Sequence, residues 1–276
     1  MAHFLFNFAH NQSNFISNRM KKTLLSLTLL AGALTTAHAQ TGIRIGIVGG
    51  ANLASFTGTD KMDTKSKYGF SAGAAFNFGL SDLISIQPEI RYSQKGIKLD
   101  YSGDYNSDAV LFKNGSNVSG TFGQTLSYID VPIMVRVNTG GSDRSGLFFE
   151  FGPQGSFLMA QRSFIDSGDK ATVVLAGPQR NNSNSNATSS PAVAVGNSTD
   201  DFNKVVIGYA VGLGYQLTSG LSLGVRYTGD ISQTYKDGKS TADAIKPYQA
   251  LGGNFTNPNV HNSVFQFNVG YLFGGK

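Results

Sequence analysis

The chain has 276 residues, 22 Lys and Arg against 17 Asp and Glu, 34 glycines, and neither cysteine nor tryptophan. Without cysteine there is no disulfide scaffold, no thiolate metal site and no lipidated N-terminal cysteine. Residues 1–39 contribute Arg19, Lys21 and Lys22 and no acid, so the remainder carries 19 basic and 17 acidic residues, a net +2 without a basic cluster, which argues against a nucleic-acid partner.

The first element is an export signal. Met20-Lys21-Lys22 is a basic start, Leu24 to Leu34 is an apolar run, and Ala37-His38-Ala39 places small residues at the −3 and −1 cleavage positions. Residues 1–19 have no signal character and read as an extension from a mis-called upstream start. The expected organisation is therefore 1–19 extension, 20–39 signal peptide, and 40–276 one domain beginning at Gln40.

Eight strands are predicted beyond the signal: 42–54, 68–80, 83–99, 123–138, 146–161, 203–217, 220–234 and 262–273. Each exceeds the roughly 9–11 residues that a tilted strand needs to cross a bilayer. The pattern is clearest at the end, where Phe265, Phe267, Val269, Tyr271 and Phe273 alternate with Gln266, Asn268, Gly270 and Leu272. Strand side chains alternate between faces, so one face is aromatic and the other small or polar. Ile207, Tyr209, Val211, Leu213, Tyr215 and Leu217 likewise oppose Gly208, Ala210, Gly212, Gly214 and Gln216.

Short connections at 80–82, 139–143 and 218–220 alternate with long ones at 55–67, 100–122, 162–202 and 235–261. Apolar-out, polar-in strands with this asymmetry predict an all-β, eight-stranded antiparallel up-and-down transmembrane β-barrel, its short turns periplasmic and its long loops extracellular. The mean hydropathy of −0.11 agrees, because half of every such strand is polar. In the longest loop, Asn181 to Asn186 is a polar low-complexity tract. The flanking runs Thr172–Leu175 and Ala192–Val195 either pair as a projecting hairpin or stay unstructured.

The small-residue phase also points charges inward: Arg44, Glu89, Arg91, Asp130, Arg136, Glu150, Arg226 and Asp230. Four arginines against four carboxylates predict a paired network sealing a narrow bore. Pro88, Pro132 and Pro153 fall inside predicted strands, where the missing N–H is costly. Local bulges are expected to absorb them.

Gln87 to Gly96 (QPEIRYSQKG), Tyr128 to Ile133 (YIDVPI), Gly224 to Tyr227 (GVRY) and the closing Gly270 to Phe273 (GYLF) resemble the PorT-like outer-membrane β-barrel family of Bacteroidetes-type bacteria. The resemblance runs from about residue 42 to 273. It implies an outer-membrane location, assembly by the barrel-assembly machinery, and contact with outer-membrane lipid. It brings no catalytic residue, and some relatives serve protein secretion.

Little chemistry is visible. After cleavage the only histidine is His261, which cannot build a metal site alone. Gly212-Leu213-Gly214 lies within a strand rather than at a strand–helix turn. Glu89, Asp130 and Glu150 would suit glycoside hydrolysis only at the right separation, and arginines surround them. The expectation is no enzyme, no catalytic, cofactor or metal residue, and no cofactor. The functional reading is a structural or interaction barrel acting through its outer loops. Two alternatives are an accessory of a secretion or transport machine and a soluble periplasmic lipocalin-like barrel, which would turn the aromatic face inward. The protein partner would be extracellular or part of a secretion machine.

Overall fold

The computed structural model describes residues 43–58, 64–104, 117–140, 145–166, 193–236 and 259–274. The signal segment, the Thr172–Leu175 run and the Asn/Ser tract lie outside these residues. In chain order the strands are β1 (Ile43–Gly58), β2 (Lys65–Gly79), β3 (Ile84–Asp104), β4 (Asn117–Asn138), β5 (Gly146–Asp166), β6 (Val193–Gly196), β7 (Val205–Gln216), β8 (Leu221–Asp230) and β9 (Val260–Leu272).

The eight long strands pair antiparallel with their neighbours in sequence, except that β5 pairs with β7. β1 closes the ring against β9, from Gly46↔Leu272 to Gly58↔Val260. Closure gives each of the eight long strands two neighbours and removes the edge of the ring. β6 adds to the far end of β5 alone, with Phe164↔Ala194 and Ile165↔Val193. Val193, Ala194 and Gly196 thus pair with a barrel strand.

Periodicity decides the two faces. Along β7 and the residue after it, Val205, Ile207, Tyr209, Val211, Leu213, Tyr215 and Leu217 are each 45–59 % exposed, while Val206 and Ala210 between them are buried. Twelve residue steps at about 3.3 Å, tilted about 40°, give an apolar band about 30 Å tall, close to a bilayer's hydrocarbon thickness. Phe265, Phe267, Val269 and Tyr271 continue the band on β9. The lipocalin-like alternative required these rings inside, and it is excluded by their position outside.

The inward glycines of β7 and β8 have a packing reason. A Cβ on Gly214 would stand 2.4 Å from the Phe148 ring, and one on Gly212 would stand 3.0 Å from a Glu150 oxygen. Their bareness lets β5 push its large side chains into the bore.

The prolines do not sit at bulges. Registers run unshifted past all three, with Ala75↔Glu89 followed by Phe78↔Ile86, Pro88↔Ile133 by Arg91↔Asp130, and Pro132↔Gln154 by Val135↔Phe151. Each proline leaves a short gap in one ladder, and the three gaps step across β2 to β5. The register shifts lie elsewhere. One falls between Ser66 and Ser71 of β2, and another between Ser127 and Tyr128 of β4, where Met159 of β5 is the extra residue.

Strands β3, β4 and β5 are longer than predicted. β7 and β8 are shorter, and beyond their ends Phe202 and Tyr235 pair with each other.

Candidate functional site

The interior is built by the inward phase of the long strands. All eight predicted charges have buried side chains, from Glu89 at 0 % to Arg44 and Asp230 at 8 % exposure. They do not form one network.

Five of them form a central cluster. From β8, Arg226 donates through Nη1 and Nη2 to the two oxygens of Glu89, at 2.7 and 2.9 Å, and through Nε to Glu150 at 2.7 Å. Arg91 reaches Glu89 at 3.2 Å and also donates to Ser71 and Asn268. Arg136 donates to Glu150 at 2.9 Å and to Gln216 at 3.2 Å, and its guanidinium lies 4.0 Å from the Phe148 ring centroid. The planar fork of arginine suits such bridging. Charges from β3, β4, β5 and β8 are thereby tied across the bore.

Asp130 and Asp230 belong to a second group. They share Lys95, whose Nζ is 3.2 Å from Asp130 and 3.6 Å from Asp230. It also donates to Ser156 at 3.1 Å and stands 4.8 Å from the Tyr128 ring centroid. Sequence reasoning missed Lys95, although it shares the parity of Glu89 and Arg91 on β3. Counting it, the buried charges among the described residues are five cations and four carboxylates rather than the expected four and four. Arg44 is apart near the short-turn end. It donates to Asn77, which links through Gln87 to Glu89.

Toward the long-connection end apolar side chains join buried polar ones such as Gln124, Thr234 and Asn262. Ile97, Leu99, Phe122, Leu126 and Val264 are buried there. Phe202 and Tyr235 fold over them with ring centroids 4.8 Å apart, and Phe56 meets Tyr235 edge-on at 6.2 Å. The Tyr235 hydroxyl donates to Gln124 at 2.8 Å. Nothing in strand periodicity announces this cap, because its two rings come from connections.

The arrangement offers little for catalysis. Glu89 and Glu150, the glycosidase-like candidates, both accept from Arg226. His261 lies in β9 with its ring nitrogens 3.1 Å from Ser232 O and 3.1 Å from Asn259 Oδ1. Among the described residues no group of three or more His, Cys, Asp or Glu is placed to hold a metal ion.

A closed eight-stranded ring with an apolar belt outside and ion pairs inside is the form of a bilayer-spanning barrel. The family model for the outer membrane protein beta-barrel domain matches residues 38–235, more than half of the chain. The chain belongs to that family. Its location is the outer membrane.

Among solved structures, Neisserial surface protein A is 14 % identical, with 84 % of this chain and 98 % of that chain covered and a TM-score of 0.39. The attachment invasion locus protein Ail of Yersinia pestis is 8 % identical over 85 % of this chain and all of that one, with a TM-score of 0.39. The outer membrane protein OprG of Pseudomonas aeruginosa is 11 % identical over 84 % and 96 %, with a TM-score of 0.32. No curated protein sequence matches significantly.

Proposed function

We propose that this outer-membrane barrel is sealed and non-enzymatic and acts by binding, through the long connections at 100–122, 162–202 and 235–261. The observation that supports this is the filled bore. Arg91, Lys95, Tyr128, Phe202 and Tyr235 are all at most 2 % exposed, although they stand at successive levels of the interior. Conduction needs a continuous water path, and side chains packed to this degree in an eight-stranded ring argue against one. The surfaces left for function are the two ends and the lipid-facing wall. The long connections face outside and the short turns face the periplasm, as in other barrels of this type.

Planar-bilayer recording tests the seal. The expected result is no steady conductance, and a large stable one would make the protein a porin. Because the chain has no cysteine, single-cysteine variants test orientation. A membrane-impermeant maleimide on intact cells labels Lys236→Cys and spares Asp82→Cys, and the reverse pattern would invert the topology.

A second reading is an accessory of a secretion or transport machine within the PorT-like group. The residues that favour it are the QPEIRYSQKG and GVRY stretches, whose Gln87, Glu89, Arg91, Lys95 and Arg226 are buried in the bore. Shortening all three long connections while keeping the barrel separates the readings. Loss of the native phenotype supports binding through the loops, and an unchanged phenotype supports the accessory role.

A further inference from the structure

We infer that the outer wall carries a binding site for the phosphorylated sugar headgroup of an outer-leaflet glycolipid, in a groove across β2, β3, β4 and β5. The outer-leaflet assignment rests on the orientation proposed above.

The groove is built by departures from regular strand geometry. The register shift in β2 turns both Lys67 and Tyr68 outward, and the extra residue in β5 turns both Met159 and Ala160 outward. Two bulges at one height therefore flank the site, and bulges of this kind re-aim side chains at functional positions. Between them, Gly96 on β3 offers no side chain, and Thr125 opposite it leads to Arg162 in the next register position. Lys67 and Arg162 thus stand on opposite sides of a floor that includes Gln94, Thr125 and Ser127. The Phe164 ring lies over Gly123, where a Cβ would stand 2.1 Å from it, and Lys67 Nζ is 6.0 Å from its centroid. The groove is open to solvent with a volume of about 1030 Å³, and Asn197 and Thr199 border it from the segment after β6.

The chemistry of the lining is one-sided. Lys67 and Arg162 line the groove with neutral hydroxyl and amide groups, and no carboxylate does. The nearby Asp100 is engaged by Lys65 and by the Thr121 hydroxyl, which hold its carboxyl below the usual range. Two cations with no acidic partner among the described residues suit a phosphate, to which arginine binds through its fork and lysine as a point charge. The position selects a lipid. Immediately below the groove the wall becomes the apolar belt, with Phe157 44 % and Ile90 53 % exposed. A ligand with phosphate above and acyl chains below matches that boundary, in the manner of basic membrane-surface pockets that hold anionic headgroups.

The test uses the folded full-length barrel in maltoside micelles, with native mass spectrometry to count bound diphosphorylated lipid A. The parent retains one lipid. Lys67→Gln/Arg162→Gln lowers its affinity by about ten-fold or more, while Lys67→Arg/Arg162→Lys and the distant Lys236→Gln retain it. A heat-dependent gel shift confirms that each variant is folded. Equal retention of dephosphorylated lipid A, or unchanged binding by the Gln/Gln variant, overturns the site. Inorganic phosphate competing at the same concentration as the lipid overturns the lipid source, and a preference for phosphatidylglycerol overturns the outer leaflet. The maleimide experiment reads orientation separately, so an inverted barrel is not confused with an absent site.

Discussion

Glu89→Gln removes one charge and almost no volume, which makes it the sharpest probe of the interior. Glu89 is fully buried and accepts two hydrogen bonds from Arg226, one from Arg91 and one from Gln87. A glutamine keeps one acceptor oxygen and turns an NH₂ toward guanidinium donors. The central cluster then holds Arg91, Arg136 and Arg226 against Glu150 alone. Breaking a buried pair from one side costs about 3–5 kcal/mol. Arg226→Met is expected to cost less, about 1–3 kcal/mol, because Glu89 keeps Arg91 and Glu150 keeps Arg136. Combining the two should cost less than the sum, since contacting residues couple. With no tryptophan in the chain, unfolding in urea is followed by far-UV circular dichroism on protein refolded into micelles. Glu89→Gln within about 0.5 kcal/mol of the parent, or Arg226→Met costing more than Glu89→Gln, would refute the reasoning.

Arg136→Met is expected to cost about 1–3 kcal/mol in the same assay, because Gln216 loses its donor while Glu150 keeps Arg226. Gly96 has φ of +134°, and a Cβ there would stand 2.0 Å from the Gln124 carbonyl oxygen. Gly96→Ala should therefore destabilise by at least about 1–3 kcal/mol, whereas Gly155→Ala, whose nearest contact would be 3.9 Å from Phe157, should stay within about 0.5 kcal/mol. Protein isolated from its native envelope should begin at Gln40, as N-terminal sequencing will show; a chain retaining residues 1–19 would overturn both the start and the cleavage site.

The parts of the fold legible in the sequence are those governed by a period of two. On β7 every outward residue from Ile207 to Leu217 can be read directly, and the same phase finds eight buried charges. Lys95 follows from that rule too, being two positions past Ser93 and four past Arg91. The reading fails where the period breaks. A bulge flips parity without changing composition, so nothing in the sequence marks Lys67 and Tyr68 as sharing a face. The prolines mislead in the opposite sense, since a missing N–H opens a gap in the ladder and leaves the register straight. Phe202 and Tyr235 fall in the predicted connections, where no period marks a residue as inward, yet they fold in and pair with each other. The partition of the charges into a Glu89–Glu150 cluster and an Asp130–Asp230 pair depends on heights around a tilted ring, which no single strand encodes.

The central ion cluster also constrains the order of assembly. Glu89 and Arg91 arrive on β3, Arg136 on β4, Glu150 on β5 and Arg226 on β8, so Arg226 meets its first partner from a strand 76 residues away and its second from 137. A hairpin of β8 and β9 entering hydrocarbon alone would carry an uncompensated guanidinium toward the bilayer, at a cost of several kcal/mol. The earlier strands would carry Glu89 and Glu150 with one cation each. Stepwise insertion of finished hairpins is therefore uphill until the ring is nearly shut. On this energetic ground the pairing of the charges belongs with the closing of β9 on β1 rather than with the insertion of any one hairpin. The ion pairs that fill the bore thus tie the cost of drying the interior to closure of the wall.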